Sequence, residues 1–202
     1  MRYSLRPSRA PALLCFFLAL ALTMPAKADL ATHVEGTAFS FTKTFLENLS
    51  EARSHTTFVA AINAADLAAL LQEPGPFTLF APTNEAFTHL PKGQLESWMQ
   101  PENRETLAAL LRYHMVAGKF SVEGLLAALR REHGQTRLKT LQGEDLIITE
   151  DGRRLILVDA RGGRSTISFA DLPEKNGILH IIDKILQPAI MGPAPTPAPE
   201  TP

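Results

Sequence analysis

The segment "NGILHIIDKILQP", Asn176 to Pro188, constrains the fold of this chain more than any other. Read as a strand, it has apolar side chains on both faces: Ile178 and Ile182 share one face with His180, and Leu179, Ile181 and Ile185 share the other with Asp183. A strand that is apolar on both faces is normally central in its sheet and covered on both sides. The chain must therefore supply packing layers for both faces of this strand.

Two polar side chains, His180 and Asp183, interrupt the apolar strand. In a covered strand both are predicted to be partly buried and hydrogen-bonded, because buried polar groups rarely lack partners. Their separation places them on opposite faces, so they cannot readily form a His–Asp dyad. This arrangement counts against catalysis by the pair.

The first half of the chain favours helices. Apolar residues recur at helical spacing over 41–49 and 58–65, and a further helix is predicted after an N-cap at Asp66. The segment "ENRETLAALLRYH" reads as another helix. Ser121 is suited to cap a last one, predicted over 122–131.

The second half favours strands. The segments "DLIITE" and "RRLILVD" are joined by Asp151-Gly152, which is a strong hairpin signal. The segment "STISFADL" reads as another strand, and the central strand follows it. Because helices come mainly first and strands mainly last, without βαβ alternation, the predicted fold class is α+β.

Both ends of the chain differ in composition from the part expected to fold. Residues 1–28 combine a positively charged start, an apolar run and small residues at their end, which is typical of a secretory signal peptide cleaved after Ala28. We expect a flexible segment over 29–37, one domain over 38–187 and a disordered proline-rich tail over 188–202. The sequence therefore predicts a secreted protein, periplasmic or extracellular, without a transmembrane segment after signal removal.

Charge and cysteine content narrow the class of protein. Removing residues 1–28 takes away four basic residues and no acidic one, so the net charge changes from −1 to −5. Such a mildly acidic chain lacks the electrostatic footprint of a nucleic-acid-binding protein. The single cysteine, Cys15, lies in the predicted signal peptide, so the exported chain has neither a disulfide nor a thiol nucleophile.

The segment "FTLFAPTNEAF", residues 77–87, predicts a strand followed directly by a helix. Pro82 has no N–H group and ends the strand ladder, and Thr83 is suited to be the N-cap of the helix. Glu85 lies favourably in the positive first turn, and Phe87 fits the staple position opposite Pro82. A structural corner therefore explains this segment completely.

Tyr113 and His114 stand side by side in the apolar run "LLRYHMVAG". His114 continues the helical stripe of Leu107, Leu110 and Leu111, which predicts a buried histidine held by a hydrogen bond. Tyr113 is predicted to pack its ring at the same helix-to-strand junction. The residues themselves favour a structural role for the pair.

The segments "TLFAPTNEAF", "YH" and "NGILHIIDKIL", in this order and spacing, resemble the two end motifs and the central Tyr-His of the fasciclin domain. The resemblance implies a wedge-shaped β-sandwich or sheet wrapped by several α-helices, in a secreted adhesion or interaction module that is not an enzyme. With one copy, the chain is similar to the single-domain secreted bacterial members. The motif residues of structural importance would be Thr83, Asn84, Glu85, Phe87, Asn176, Gly177, His180 and Asp183.

The same resemblance implies a second role for Tyr113 and His114, because the Tyr-His region is associated with adhesion in some animal members. The pair is the expected partner-binding point, provided that Tyr113 is partly exposed. The expected partners are a cell-surface or matrix protein or a polysaccharide, bound by a monomer.

No segment matches the usual patterns of catalytic or metal-binding residues. The G-x-S-x-G, H-E-x-x-H, P-loop and G-x-G-x-x-G motifs are absent, and the six histidines show no short ligand spacing. We therefore expect no cofactor and no metal site. The alternative is a periplasmic small-ligand-binding protein or a hydrolase using His114 or His180, since apolar settings shift histidine pKa values.

A basic stretch surrounds the end of the last predicted helix and consists of Arg130, Arg131, Arg137 and Lys139. Cations at this place offset the negative C-terminal end of a helix and can simply face solvent. The alternative is a docking patch for an acidic polysaccharide. Both interpretations stay open at this point.

Overall fold

The computed structural model describes residues 32–34 and 37–189, and in these it has nine strands and six α-helices. A separate antiparallel pair, β1 (Thr32–Val34) and β2 (Thr37–Phe39), precedes the first helix. The other strands form one seven-stranded sheet: β3 (Phe77–Pro82), β4 (Met115–Ala117), β5 (Gln135–Lys139), β6 (Asp145–Asp151), β7 (Arg154–Val158), β8 (Arg164–Glu174) and β9 (Gly177–Ile182).

The seven-stranded sheet has the order β4-β3-β9-β8-β7-β6-β5 and curls until its two edges meet at one point. The β3–β9 pair is parallel, and the other neighbouring pairs are antiparallel. At the meeting point Val116 of β4 forms a bridge with Thr140, and the Leu141 N–H donates to the Met115 carbonyl at 2.8 Å. The sheet is therefore nearly a closed barrel, with a gap along β5.

β9 is a central strand between β3 and β8, as the sequence predicts. On one face, Leu179 and Ile181 belong to a core that the helices complete. On the other face, Ile182 belongs to a second core together with Phe80 and Tyr113. The prediction that this strand is covered on both sides is confirmed.

Six α-helices cover the sheet. The first core takes buried residues from α1, α2 and α5, whereas α6 packs Leu125 and Leu129 on the second core. Ser121 caps α6 by accepting a hydrogen bond from the Gly124 N–H at 3.2 Å, as predicted. Sheet and helices together confirm the α+β class. The helices are α1 (Phe45–Glu51), α2 (Thr56–Ala64), α3 (Asn84–Thr88), α4 (Gln94–Trp98), α5 (Arg104–Tyr113) and α6 (Val122–Arg131).

The helix predicted after Asp66 is wrong. Asp66 has a φ of 57°, a left-handed conformation that aspartate tolerates better than most residues. It therefore follows the end of α2 as a turn residue and does not cap a new helix. Beyond it only a short 3₁₀ helix forms, Leu70–Gln72, while Leu67 and Leu71 are anchored in the core.

Several expectations about the ends of the chain lie outside the described residues. These are the signal peptide with its cleavage site, and the proline-rich tail from residue 190 onward. In the segment expected to be flexible, 29–37, the structure describes β1 and the first residue of β2. None of the helices in the described ranges is long and apolar enough to cross a membrane.

Candidate functional site

The side chain of Tyr113 is fully buried at the end of α5. Its hydroxyl donates to the Asp145 carbonyl at 2.9 Å and accepts from the Ala160 N–H at 3.0 Å. Burial raises the pKa of this hydroxyl to about 12, so it stays protonated at neutral pH. The expectation that Tyr113 is partly exposed is wrong, because the ring fills the barrel core while its hydroxyl ties the start of β6 to the β7–β8 loop.

His114 is buried and connects the end of α5 to the segment after β9. Its Nδ1 lies 2.8 Å from the Leu110 carbonyl, and its Nε2 accepts from the Leu186 N–H at 3.1 Å. Because a carbonyl can only accept, Nδ1 carries the proton and the ring is neutral. Burial lowers the pKa of His114 to about 4. The prediction of a buried, hydrogen-bonded histidine is confirmed.

His180 is buried inside the barrel with its ring stacked on Phe80, the two centroids 5.4 Å apart. Its Nε2 donates to the Phe120 carbonyl at 2.8 Å, and its Nδ1 accepts from the Asp171 N–H at 3.2 Å. Burial lowers its pKa as well. In both His114 and His180 the two ring nitrogens are thus engaged by backbone groups, which leaves neither ring a nitrogen for proton transfer or metal binding.

The corner after β3 begins α3 as the sequence predicts. Thr83 accepts a hydrogen bond from the Ala86 N–H at 3.3 Å, which confirms it as the N-cap. Glu85 lies in the first turn of the helix, and Phe87 is buried. These residues shape the end of a strand and the start of a helix.

Two asparagines of the motifs join separate elements. The side-chain oxygen of Asn84 accepts from the Thr57 N–H at 2.9 Å, which holds the start of α2 beside α3. The side chain of Asn176 accepts from the Phe45 N–H at 3.2 Å and donates to the Leu71 carbonyl at 2.8 Å. These long-range hydrogen bonds leave no periodic signal in the sequence.

The two ends of β9 carry the remaining motif residues. Gly177 opens the strand at a place where a side chain would overlap the Phe77 carbonyl. Asp183 follows the strand and accepts from the Ser165 hydroxyl at 2.9 Å and from the Thr166 N–H at 2.7 Å. The expectation that Asp183 is partly buried is wrong, because β9 ends one residue before it and its side chain is exposed.

Glu174, at the end of β8, is a buried acid that the sequence reading did not single out. It is only 4% exposed. One carboxyl oxygen accepts from the Asn48 amide, and the other has no hydrogen-bond partner among the described residues. Burial raises the pKa of Glu174 to about 9, so the group is protonated at neutral pH.

A groove of 610 Å³ opens at the gap in the barrel, between α6 and β5. Residues 136–139 of β5 all line it, although their side chains alternate between buried and exposed. The groove therefore follows the backbone edge of the strand and not one of its faces. Gly124 and Ala128 of α6 form the opposite wall. The apolar part of the lining includes Val116, Phe120, Leu125 and Leu138.

Most of the predicted basic patch lies on the rim of this groove. Arg131, Arg137 and Lys139 line it, whereas Arg130 does not. Lys119 also lines the groove, and the sequence reading missed it because it lies outside the basic stretch. The sequence feature that could have indicated Lys119 is its position next to Phe120, just before the N-cap of α6.

Two of the four rim cations already contact exposed acids. Arg131 lies 2.8 Å from Glu132, and Lys139 lies 3.1 Å from Asp145. Exposed ion pairs of this kind contribute little free energy, so an incoming anion can exchange with them. The other two rim cations form no ion pair with a described residue.

The described residues contain no cluster of three or more His, Cys, Asp or Glu side chains that could hold a metal ion.

The sequence model of the fasciclin domain matches residues 53–188. The chain belongs to the fasciclin domain family. The resemblance carried by the three sequence segments is thereby confirmed.

Known proteins similar to this fasciclin domain include bacterial and animal chains. It is 37% identical over 146 residues to protein sll1483 of Synechocystis sp. (strain ATCC 27184 / PCC 6803 / Kazusa), covering 72% of this chain and 73% of that protein. It is 33% identical over 148 residues to human periostin, covering 73% of this chain but only 16% of periostin. This fasciclin domain therefore corresponds to a small part of the animal protein.

A solved structure has the same fold. It is a FAS1 domain pair from the insect cell adhesion molecule Fasciclin I, with a TM-score of 0.65 and 17% sequence identity. The match covers 77% of this chain and 53% of the domain pair. The sheet and helices described above are therefore the fold of a fasciclin domain.

Proposed function

We propose that this fasciclin domain is a non-catalytic interaction module that binds a macromolecule outside the cytoplasm. The observation that carries the proposal is the groove between α6 and β5, which combines an apolar floor with a cationic rim. Apolar contacts flanked by charged groups are typical of binding surfaces. An open groove also does not exclude water as an enclosed catalytic site does.

The location outside the cytoplasm is supported by the signal-peptide features of residues 1–28. The insect protein with the same fold is described as a cell adhesion molecule, which favours a partner on a cell surface or in a matrix. The partner is then a protein or a polysaccharide of that compartment. One domain binds it as a monomer, without a cofactor.

Saturable binding tests this function. The purified protein, labelled with fluorophore, is titrated onto intact cells of the producing organism and onto its isolated extracellular matrix. We expect saturable retention that unlabelled protein displaces. Heat-unfolded protein at the same concentration is the control, and equal retention of folded and unfolded protein would overturn the proposal.

The hydrolase alternative makes an opposite prediction. The neutral rings of His114 and His180 are held by backbone groups at both nitrogens, so we expect no turnover of generic ester or glycoside substrates above buffer. Turnover that is lost in a folded His180→Gln variant would favour the alternative.

A further inference from the structure

We propose that the groove between α6 and β5 binds an extended acidic peptide, which adds to the edge of β5 as a further strand. This inference rests on the proposed function, because it names the surface and the partner class of the same interaction module.

The first argument is the free edge of β5. The strand is terminal in the sheet and pairs with β6 on one side only. On its other side, the described part of the chain provides a single bridge, at Thr140 beyond the end of the strand. An open strand edge presents N–H and C=O groups that an extended peptide can pair with. The groove follows this edge along residues 136–139.

The second argument is the space that α6 leaves opposite the edge. The wall positions Gly124 and Ala128 are one turn apart on the helix and carry the smallest side chains. A Cβ atom added at Gly124 would meet only the Ser121 hydroxyl, at 3.5 Å. An added strand would direct alternate side chains inward, where Phe120 and Leu138 supply apolar contacts.

The third argument is charge. Four cations and one carboxylate, that of Glu132, belong to the lining of the groove, although the whole chain has a net charge of −1. The positive charge is therefore concentrated at this place and favours an anionic ligand. An acidic polysaccharide would satisfy the cations, but it has neither apolar side chains for the floor nor a peptide backbone for the strand edge. The acidic peptide uses all three features.

Peptide pools test the inference on the full chain, immobilised through its termini. Each pool contains ten-residue peptides with alternate positions fixed as glutamate, serine or lysine and with valine, isoleucine, leucine or tyrosine between them. We expect the glutamate pool to be retained above the serine and lysine pools, and retention to fall as sodium chloride is raised. A glutamate pool with proline at every third position cannot pair along a strand, and we expect it to be retained no better than the serine pool.

Two variants of the groove locate the binding. Lys119→Glu/Arg137→Glu reverses two rim charges, and we expect it to weaken binding of the glutamate pool by about tenfold or more. Ala128→Trp fills the space between α6 and β5 and is expected to abolish retention. The matched control is Lys92→Glu/Arg153→Glu, which reverses the same two residue types at exposed positions outside the groove. All variants must melt as the wild type does.

The inference would be overturned by equal retention of the three pools, by undiminished binding of the glutamate pool to a folded Ala128→Trp variant, or by binding of polygalacturonate with no retention of the glutamate pool. The last outcome would assign the groove to a polysaccharide. If saturable binding to cells persists in folded Ala128→Trp protein, the groove inference fails while the proposed function stands. If no cell or matrix binding is found at all, the proposed function itself fails.

Discussion

At the scale of single residues, His114 shows how a polar side chain stabilises a core. It bridges the Leu110 carbonyl and the Leu186 N–H, which are far apart in sequence. We expect His114→Ala to lower the free energy of unfolding by about 1–3 kcal/mol, because it leaves two buried backbone groups without partners. Urea unfolding measures this. The control is the exposed His89→Ala, expected within about 0.5 kcal/mol of wild type. An unchanged stability in His114→Ala would contradict the structural role.

Glu174 makes the folded protein less stable as the pH rises. Its pKa rises from 4.5 to about 9 on folding, so between these values the folded protein binds a proton that the unfolded chain has lost. Stability therefore falls as pH rises through this window. Glu174→Gln mimics the protonated acid, and we expect its free energy of unfolding to exceed that of the wild type by roughly 4–5 kcal/mol at pH 8. Urea unfolding at pH 5 and pH 8 measures how much stability each protein loses between these pH values, with the exposed Glu150→Gln as control. An equal loss in Glu174→Gln and the wild type would refute the prediction.

At the scale of elements, the β3–β9 pairing requires a glycine at its start. A Cβ atom at Gly177 would overlap the Phe77 carbonyl and lie 2.6 Å from the Phe45 ring. We expect Gly177→Ala to destabilise the protein by about 1–3 kcal/mol through overpacking. Gly124→Ala in α6 is the matched control and should gain stability, since its Cβ would make only an ordinary van der Waals contact with the Ser121 hydroxyl, at 3.5 Å. Thermal melting separates the two, and equal melting temperatures would exclude the steric explanation.

The sequence predicts those elements whose causes are local. The corner at Thr83, the cap at Ser121 and the central position of β9 each follow from neighbouring residues, and the structure agrees. The burial of Tyr113 and the high pKa of Glu174 depend instead on partners distant in the chain, such as Ala160 and Asn48. The groove depends on where the two edges of the sheet meet, which no periodicity reveals. From the sequence, only the basic residues on its rim could be predicted, as a basic stretch around a helix end.

At the scale of the whole molecule, the buried acid and the two buried histidines have opposite effects on how stability changes with pH. The pKa of His114 falls from 6.5 to about 4 on folding, and that of His180 falls too, so stability decreases as pH drops below 6.5. Glu174 has the opposite effect above pH 4.5. We expect a maximum of stability near pH 6.5, measured by urea unfolding from pH 4 to 9. A free energy that is constant between pH 7 and 9 would contradict this balance.

The open edge of β5 also has a consequence for pairing between two copies of this protein. An unpaired strand edge can pair with the same edge of other copies and lead to aggregation, and natural proteins commonly prevent this with charged side chains. Two copies pairing through β5 would bring the exposed Arg137 and Lys139 of each against those of the other, which is repulsive. The cations that attract an acidic strand thus repel β5 of a second copy. We therefore expect these two side chains to disfavour pairing of β5 with a second copy while leaving its edge open to a strand of opposite charge.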